Sequence, residues 1–259
     1  MRPRKSLGQH FLHDRNVIGR IIAAIDPQPD QHFVEIGPGR GALTIPLLEK
    51  VQRLDVVEID RALADELERT LARPRLTIHR TDALRFDYRQ ISTAPGSLRL
   101  AANLPYNIST PLLFHLLDHH HLFADLHVML QREVVERMTA RPDTGAYGRL
   151  TVALAARCRV HNLFIVRPGS FTPAPQVDSA VARLVPDASL AARISDPAAF
   201  DRVLTRAFSM RRKRLANALK GLLTEDDIRA CGLDPGMRPG VVAPEGYVEL
   251  SRRLAAART

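Results

Sequence analysis

The sequence predicts an α/β fold with a doubly wound sheet, followed by a small all-helical domain. From about residue 32, short apolar runs of strand length alternate with segments of helical periodicity. After Pro186 no strand-like run follows, and helical patterns continue to the end of the sequence. The 259 residues are enough for one large domain and one small one. We therefore predict an α/β domain over residues 1–186 and a helical domain over residues 187–259.

The spacing of apolar residues along the chain predicts the individual strands and helices. Strand-length apolar runs occupy residues 32–36, 54–59, 76–80, 98–102, 126–130, 160–166 and 180–185. Helical spacing is found over residues 42–50 and 61–71 in the α/β part, and over residues 200–208, 215–222, 225–230 and 247–256 in the C-terminal part. In such a sheet, ligands bind beyond the carboxyl ends of the strands.

The charge of the chain favours a nucleic-acid partner. Its 37 Lys and Arg residues against 28 Asp and Glu residues give a formal net charge of +9, and only four of the basic residues are lysines. Arginine forms paired hydrogen bonds with phosphate and stacks on bases. Residues 202–220 include seven basic residues and no acidic one, more than the solvated face of a helix usually has. We predict a phosphate-binding patch there, with Arg211, Arg212, Lys213 and Arg214 at its centre.

Several classes of protein are disfavoured. Cys158 and Cys231 are too few and too far apart for a disulfide framework or a zinc site. The N-terminal residues lack the apolar core of an export signal, and no window reaches the ~18 apolar residues of a membrane span. The histidines of residues 118–121, with His115 one turn earlier, fit a helix terminus better than a metal site. We therefore expect a cytoplasmic protein with no membrane segment and no metal.

A glycine-rich turn, Glu-Ile-Gly-Pro-Gly-Arg-Gly over residues 35–41, joins the first strand to the first helix. Glycines let the backbone approach a ligand, and the helix N-terminus offers free N–H groups. The spacing is not that of dinucleotide binders, because the third glycine of their pattern would fall on Ala42. Glu58 ends the second strand, where a carboxylate accepts from ribose hydroxyls. Asp82 follows the third strand and is placed to meet an adenine amino group.

These three loops together predict a binding site for one nucleoside. The site needs no basic residue, because the ligand has no pyrophosphate to be held. S-adenosylmethionine fits, because its sulfonium cation favours an acidic neighbour such as Glu35. Glu58 and Asp82 taken singly are more typical of helix caps. Combined with Gly37 and the rest of the turn, they predict a Rossmann-like S-adenosylmethionine-dependent methyltransferase sheet.

The turn Asn103-Leu104-Pro105-Tyr106 closes the fourth strand, at the same edge of the sheet. The side-chain carbonyl of Asn103 and the main-chain carbonyl of Leu104, which Pro105 holds extended, can both accept from an exocyclic NH₂ group. Tyr106 can stack on the base. Alignment supplies most of the rate of such a transfer, so no strong general base is needed. Asn103, Leu104 and Tyr106 are therefore the predicted catalytic residues for methylation of an amine.

These motifs resemble those of the adenine-N6 methyltransferases, and in particular the small-subunit ribosomal RNA adenine dimethylases. The similar segments, in chain order, are residues 5–12, 103–113, 130–134, 145–150, 171–179 and 208–219. The resemblance runs from about residue 4 to residue 250. It implies two successive methylations of N6 on each of two adjacent adenosines in the hairpin near the 3′ end of 16S rRNA. The implied substrate is the immature small subunit, and the implied enzyme is a monomer.

The resemblance also implies roles for individual residues. The implied cofactor contacts are His10, Leu12, Gly37, Glu58, Asp82 and Asn103. Most members of the family have asparagine in place of His10, which favours a main-chain contact at that position. Phe171 is implied as the aromatic wall of the target-base pocket opposite Tyr106, and Phe11 as the residue that closes the cofactor side.

Three alternatives stay open at this point. The large-subunit rRNA dimethylases that confer macrolide resistance share the turn at residues 103–106, although residues 177–180 and 211–213 are more similar to the small-subunit enzymes. A DNA adenine methylase is disfavoured because no additional target-recognition domain is visible. A non-catalytic RNA-binding assembly factor would share the scaffold, but the intact Glu58, Asp82 and Asn103 argue against lost chemistry.

Overall fold

The computed structural model describes residues 9–71 and 74–257. Within these ranges the strands are β1 (Phe11–Leu12), β2 (His32–Ile36), β3 (Arg53–Glu58), β4 (Leu76–Arg80), β5 (Leu98–Asn103), β6 (Phe123–Gln131), β7 (Cys158–Val166), β8 (Phe171–Thr172) and β9 (Ser179–Pro186). Residues 5–8 of the first family-like segment lie outside the described residues.

Seven of these strands form one mixed sheet, in the order β4-β3-β2-β5-β6-β9-β7. The strands from β4 to β6 are parallel, and β9 runs antiparallel to β6. Ile36 at the end of β2 lies opposite both Val57 of β3 and Ala102 of β5. The segments that follow these three strands therefore meet at one edge of the sheet, as expected for a doubly wound α/β fold.

The strand predictions are close to the observed strands. Residues 32–36 and 76–80 are β2 and β4 without change, and the remaining predicted strands match β3, β5, β6, β7 and β9 with ends displaced by a few residues. The short pair β1 and β8 was not predicted. These two strands pair antiparallel in a separate sheet, with Leu12 opposite Phe171.

Helices occur both between the strands and after the last strand. They are α1 (Arg15–Ile25), α2 (Thr44–Lys50), α3 (Arg61–Leu71), α4 (Ser109–Asp118), α5 (Arg132–Met138), α6 (Arg149–Ala155), α7 (Ala188–Ala191), α8 (Pro197–Ser209), α9 (Leu215–Ala218), α10 (Glu225–Ala230) and α11 (Pro244–Ala256). Helix α3 and helix α10 match their predictions. The helix predicted over residues 215–222 is shorter, because the chain turns after α9 and Gly221 adopts a φ of +83°. No helix among the described residues combines the length and the apolar composition that crossing a membrane requires.

The described residues up to 135, together with residues 161–186, form one compact unit. Its main core joins helix α1 and helix α2 to one face of the sheet. Ile21 and Ile25 of α1 belong to the same buried cluster as Leu47 of α2 and the strand residues Phe33 and Val56. This packing fixes the position of α2, and with it the glycine-rich turn that leads into the helix.

A buried ion pair ties helix α1 to the strand that ends in Asn103. Arg99 of β5 donates to Asp125 of β6 through Nε at 2.7 Å and through Nη2 at 2.9 Å. The same Nη2 donates to the carbonyl of Ile25 at the end of α1, at 2.7 Å. Burial raises the pKa of Asp125, but the hydrogen bonds and charge of Arg99 together with the nearby His127 and Arg183 outweigh this effect and leave the pKa lowered. The start of β5 is therefore held by charge-assisted bonds.

Residues 136–160 group with the described residues from 187 onward in a second compact unit. Residues 136–160 lie before the predicted domain boundary at residue 186. They belong to the second unit because helix α6 packs against α8 and α11. Tyr147, just before α6, donates its hydroxyl to the carbonyl of Val242 at 2.7 Å. From residue 187 onward the described residues form helices and turns and no strand, as predicted.

Candidate active site

A cavity of about 260 Å³ lies at the carboxyl ends of β2, β3, β4 and β5. Its lining comes from the N-terminal segment at residues 9–12, the glycine-rich turn, and the loops that follow β3, β4 and β5. Eight predicted site residues line it: His10, Leu12, Gly37, Glu58, Asp82, Asn103, Leu104 and Tyr106. The structure thus brings the predicted cofactor residues and most of the predicted transfer residues into one cavity.

The glycine-rich turn follows a path that side chains would block. Gly39 adopts a φ of +56°, and a Cβ atom there would lie 3.2 Å from the ring of Phe11. The N–H of Gly37 donates to the carbonyl of Val57 at 3.0 Å, which joins the turn to β3. Phe11 also lines the cavity, with the guanidinium of Arg40 4.6 Å from the centre of its ring. Phe11 thus lies beside the glycine-rich turn, and its implied role of closing the cofactor side stays a prediction.

Glu58 is buried at the end of β3 and faces the same turn. Its Oε1 accepts from the N–H of Asp60 at 2.8 Å, and its Oε2 accepts from the N–H of Gly39 at 3.4 Å. Burial raises the pKa of Glu58, and these two N–H groups oppose the rise. A carboxylate has about four lone-pair sites, so capacity is left for hydroxyl groups of a ligand. Glu58 therefore shapes the loop and can also accept from a ligand.

Asp82 has a similar arrangement in the loop after β4. Its Oδ1 accepts from the N–H of Leu84 at 2.9 Å, which closes a local turn, and the residue lines the cavity. Two of the three predicted carboxylates, Glu58 and Asp82, therefore accept from N–H groups of loop residues rather than from the first turn of a helix, and both also line the space where a ligand would bind.

Glu35 behaves differently, because its carboxyl group is buried at the wall of the cavity without full hydrogen bonding. Only 2% of the residue is exposed, and its Oε2 has no hydrogen-bond partner among the described residues. Burial raises the pKa of Glu35 to about 8, the side chain of Thr44 opposes the rise, and the nearby charge of Glu58 adds to it. An orphaned buried carboxyl is costly unless something pairs with it. The positive charge of a cationic ligand in this cavity would favour the ionised form of this carboxyl group.

The turn after β5 holds its acceptor groups in a defined orientation. Asn103 donates from Nδ2 to the main-chain carbonyl of His10 at 3.1 Å, so its Oδ1 is the acceptor end of the amide. The N–H of Leu104 donates to the carbonyl of Met129 at 3.0 Å. The hydroxyl of Tyr106 is hydrogen-bonded to Oγ of Ser179. The turn is thus fixed at its amide, its backbone and its aromatic ring.

Phe171 is placed apart from the other predicted catalytic residues. It does not line the cavity, only 3% of it is exposed, and it belongs to the buried core cluster. Its backbone pairs with Leu12 in the β1–β8 ladder, which holds the ring in the core. A role as the second wall of a base pocket stays a prediction that this burial does not support.

The four basic residues predicted to bind phosphate fall into two groups. Arg212, Lys213 and Arg214 are exposed in the turn between α8 and α9. Arg211 instead donates from Nη2 to the carbonyl of Thr144 at 2.7 Å and from Nη1 to that of Gly145 at 2.9 Å. Arg211 therefore anchors the loop at residues 141–148, and its guanidinium is largely used within the protein.

The histidines after helix α4 interact with the end of that helix. His119 donates from Nδ1 to the carbonyl of His115 at 3.1 Å, and His120 donates from Nδ1 to that of Leu117 at 2.7 Å. These bonds satisfy carbonyl groups that the helix leaves unpaired. No group of three or more His, Cys, Asp or Glu residues in the described part of the chain is arranged to hold a metal ion.

The sheet order, the glycine-rich turn with its acidic neighbours, and the Asn-Leu-Pro-Tyr turn define the class of protein as a Rossmann-like methyltransferase with a helical C-terminal region. The family model for ribosomal RNA adenine dimethylase matches residues 1–255. The chain belongs to the ribosomal RNA adenine dimethylase family.

Similar proteins support this assignment. A ribosomal RNA small subunit methyltransferase A from Nitrosococcus oceani is 51% identical over 253 residues, which cover 97% of this chain and 96% of that protein. The crystal structure of a dimethyladenosine transferase from Plasmodium falciparum is similar with a TM-score of 0.77 and 27% identity, over 93% of this chain and 96% of that one. The 23S rRNA methyltransferase ErmE is similar with a TM-score of 0.69 and 26% identity, over 95% and 99% of the two chains.

Proposed function

We propose that this protein uses S-adenosylmethionine to dimethylate N6 of two adjacent adenosines in the 3′-terminal hairpin of 16S rRNA, on the immature small subunit during ribosome biogenesis. The observation that carries the proposal is that Asn103, Leu104 and Tyr106 line the same cavity as Glu35, Glu58 and Asp82. The high identity to a small-subunit methyltransferase supports the choice of RNA.

The residues around the cavity fit the proposed cofactor. S-adenosylmethionine, when bound, supplies a methyl group activated by a sulfonium cation. Glu58 would accept from the ribose hydroxyls, and Asp82 from the adenine amino group. Glu35, whose Oε2 lacks a partner among the described residues, would provide the negative charge for the cation. The glycine-rich turn lets the backbone approach the ligand closely.

Asn103 and Leu104 would align the reacting nitrogen. Oδ1 of Asn103 and the main-chain carbonyl of Leu104 each accept one N–H of the adenine amino group, which directs the nitrogen lone pair to the cofactor side. Because Nδ2 of Asn103 is bonded to the carbonyl of His10, the amide presents its oxygen to the substrate. Tyr106 stacks on the base. After each transfer the alkylated nitrogen loses a proton to water, and one N–H remains after the first methylation for the second round.

The large-subunit alternative has its own structural neighbour in ErmE, and primer extension distinguishes the two substrates. We expect that incubation with S-adenosylmethionine produces reverse-transcriptase stops in the 3′-terminal hairpin of 16S rRNA in unmodified small subunits, and no new stop in 23S rRNA of large subunits. Stops in 23S rRNA alone would overturn the choice of substrate. Incubation without S-adenosylmethionine is the control.

We further propose that Arg212, Lys213 and Arg214 bind RNA phosphates. Their replacement by alanine together should raise the apparent KM for small subunits and reduce the slope of log KM against log salt by about two to three, roughly one for each lost phosphate contact. Cofactor affinity should stay unchanged. Arg229→Gln is the matched control, since Arg229 is paired with Glu225 and Asp226 in the same helical unit. An unchanged salt slope in the triple variant would refute the phosphate contacts.

A further inference from the structure

The side chain of His10 has a position that the cofactor contact expected from the family does not explain. Its ring stacks on the ring of Tyr106, with centroids 5.2 Å apart and an interplanar angle of 28°. Nδ1 of His10 lies 2.7 Å from the carbonyl of Pro173, and since a carbonyl only accepts, Nδ1 is the donor. The ring is therefore held at one edge by the segment after β8, while one of its faces lies against Tyr106.

The main chain of His10 contacts Asn103, the residue whose amide is proposed to accept the adenine amino group. Its carbonyl accepts from Nδ2 of Asn103 at 3.1 Å. One residue thus contacts both groups that the proposed reaction needs: the amide that accepts the amino group and the ring that stacks on the base. The two contacts use different parts of His10, so a substitution of its side chain separates them.

We propose that the His10 ring is a positioning residue for the target adenine, acting through Tyr106. The ring covers one face of Tyr106 while Ser179 holds the Tyr106 hydroxyl, so the tyrosine is fixed at two points and the base stacks on its remaining face. Aromatic contacts of this kind add favourable interaction beyond area burial. The inference rests on the proposed methyl transfer to adenine.

Three variants test this role by steady-state methyl transfer to unmodified small subunits and by calorimetric titration of S-adenosylmethionine into the free protein. His10→Ala removes the ring but keeps the carbonyl that holds Asn103. It should raise the KM for small subunits about three- to tenfold, the range for one aromatic contact, and leave the dissociation constant of the cofactor within about twofold. His10→Phe keeps a ring that can stack and should restore most of the KM.

His13→Ala is the matched control, because His13 is exposed in the same segment and does not line the cavity. It should behave as wild type. The inference is overturned if His10→Ala has a wild-type KM, if it weakens cofactor binding while the KM stays unchanged, or if His10→Phe is as impaired as His10→Ala. Wild-type protein that transfers no methyl group would count against the proposed function itself, whereas an active wild type with an indifferent His10→Ala counts against this inference alone.

Discussion

Asn103→Ala is expected to lower the rate of methyl transfer by roughly 10²–10³-fold, the loss typical when one preorganised polar group is removed from a reacting centre. The variant removes the oxygen that orients the adenine amino group and also the donor that bonds to the carbonyl of His10. The measurement is single-turnover transfer with saturating cofactor and unmodified small subunits. Its effect on cofactor affinity, measured by calorimetry, should be much smaller than its effect on the rate.

Two further variants sharpen this test. Asn103→Asp has nearly the same shape but places an oxygen opposite the His10 carbonyl, so the amide orientation is lost and the rate should also fall. Asn162→Ala changes an exposed asparagine of β7 outside the cavity and should keep full activity. An Asn103→Ala variant that folds and works within about threefold of wild type would remove Asn103 from the mechanism.

The second large effect concerns pH, through Glu35. In the free protein the pKa of Glu35 is raised to about 8 by burial and by the charge of Glu58, so the carboxyl is mostly protonated at pH 7. A cationic ligand favours the ionised form, and binding is therefore coupled to release of a proton. The dissociation constant of S-adenosylmethionine should rise about tenfold for each pH unit below 8, and calorimetry from pH 6 to pH 9 measures it.

The controls separate Glu35 from other titrating groups. S-adenosylhomocysteine has the same amino acid and nucleoside groups but no sulfonium charge, so its affinity should depend less on pH. Glu35→Gln has a similar shape and cannot ionise; it should bind S-adenosylmethionine more weakly than wild type at pH 9 and lose the difference in pH dependence between the two ligands. Equal slopes for the two ligands in the wild-type protein would contradict the pairing of Glu35 with the cation.

The sequence predicts best those parts of the site that lie in the loops directly after the strands. Glycines after one strand and acids after the next two indicate a common edge, because parallel strands in neighbouring positions end at the same level. The structure places Glu58, Asp82 and the turn at residues 103–106 at that edge. Strand ends shifted by a few residues do not change this result, since the loops after the strands still converge.

Contacts between residues that are far apart in the sequence cannot be predicted from the order of strands and loops. The Asn103–His10 bond joins residues 93 positions apart, and no periodicity indicates it. Arg211 belongs to a basic run that predicts phosphate binding, yet its guanidinium is used by two carbonyls of a distant loop. Phe171 was placed in the base pocket by resemblance, whereas strand pairing with Leu12 holds it in the core. In each case tertiary packing decides what the side chain contacts.

The most direct test of the proposed reaction is transfer of labelled methyl groups from S-adenosylmethionine to unmodified small subunits, followed by digestion of the RNA and mass spectrometry of the nucleosides. Naked 16S rRNA and Asn103→Ala serve as comparisons. The predicted result is N6,N6-dimethyladenosine in the 3′-terminal hairpin, two residues for each subunit, formed by wild-type protein and far more slowly by Asn103→Ala. Binding of the subunits without any methylated adenosine, or methylation at a position other than N6, would contradict it.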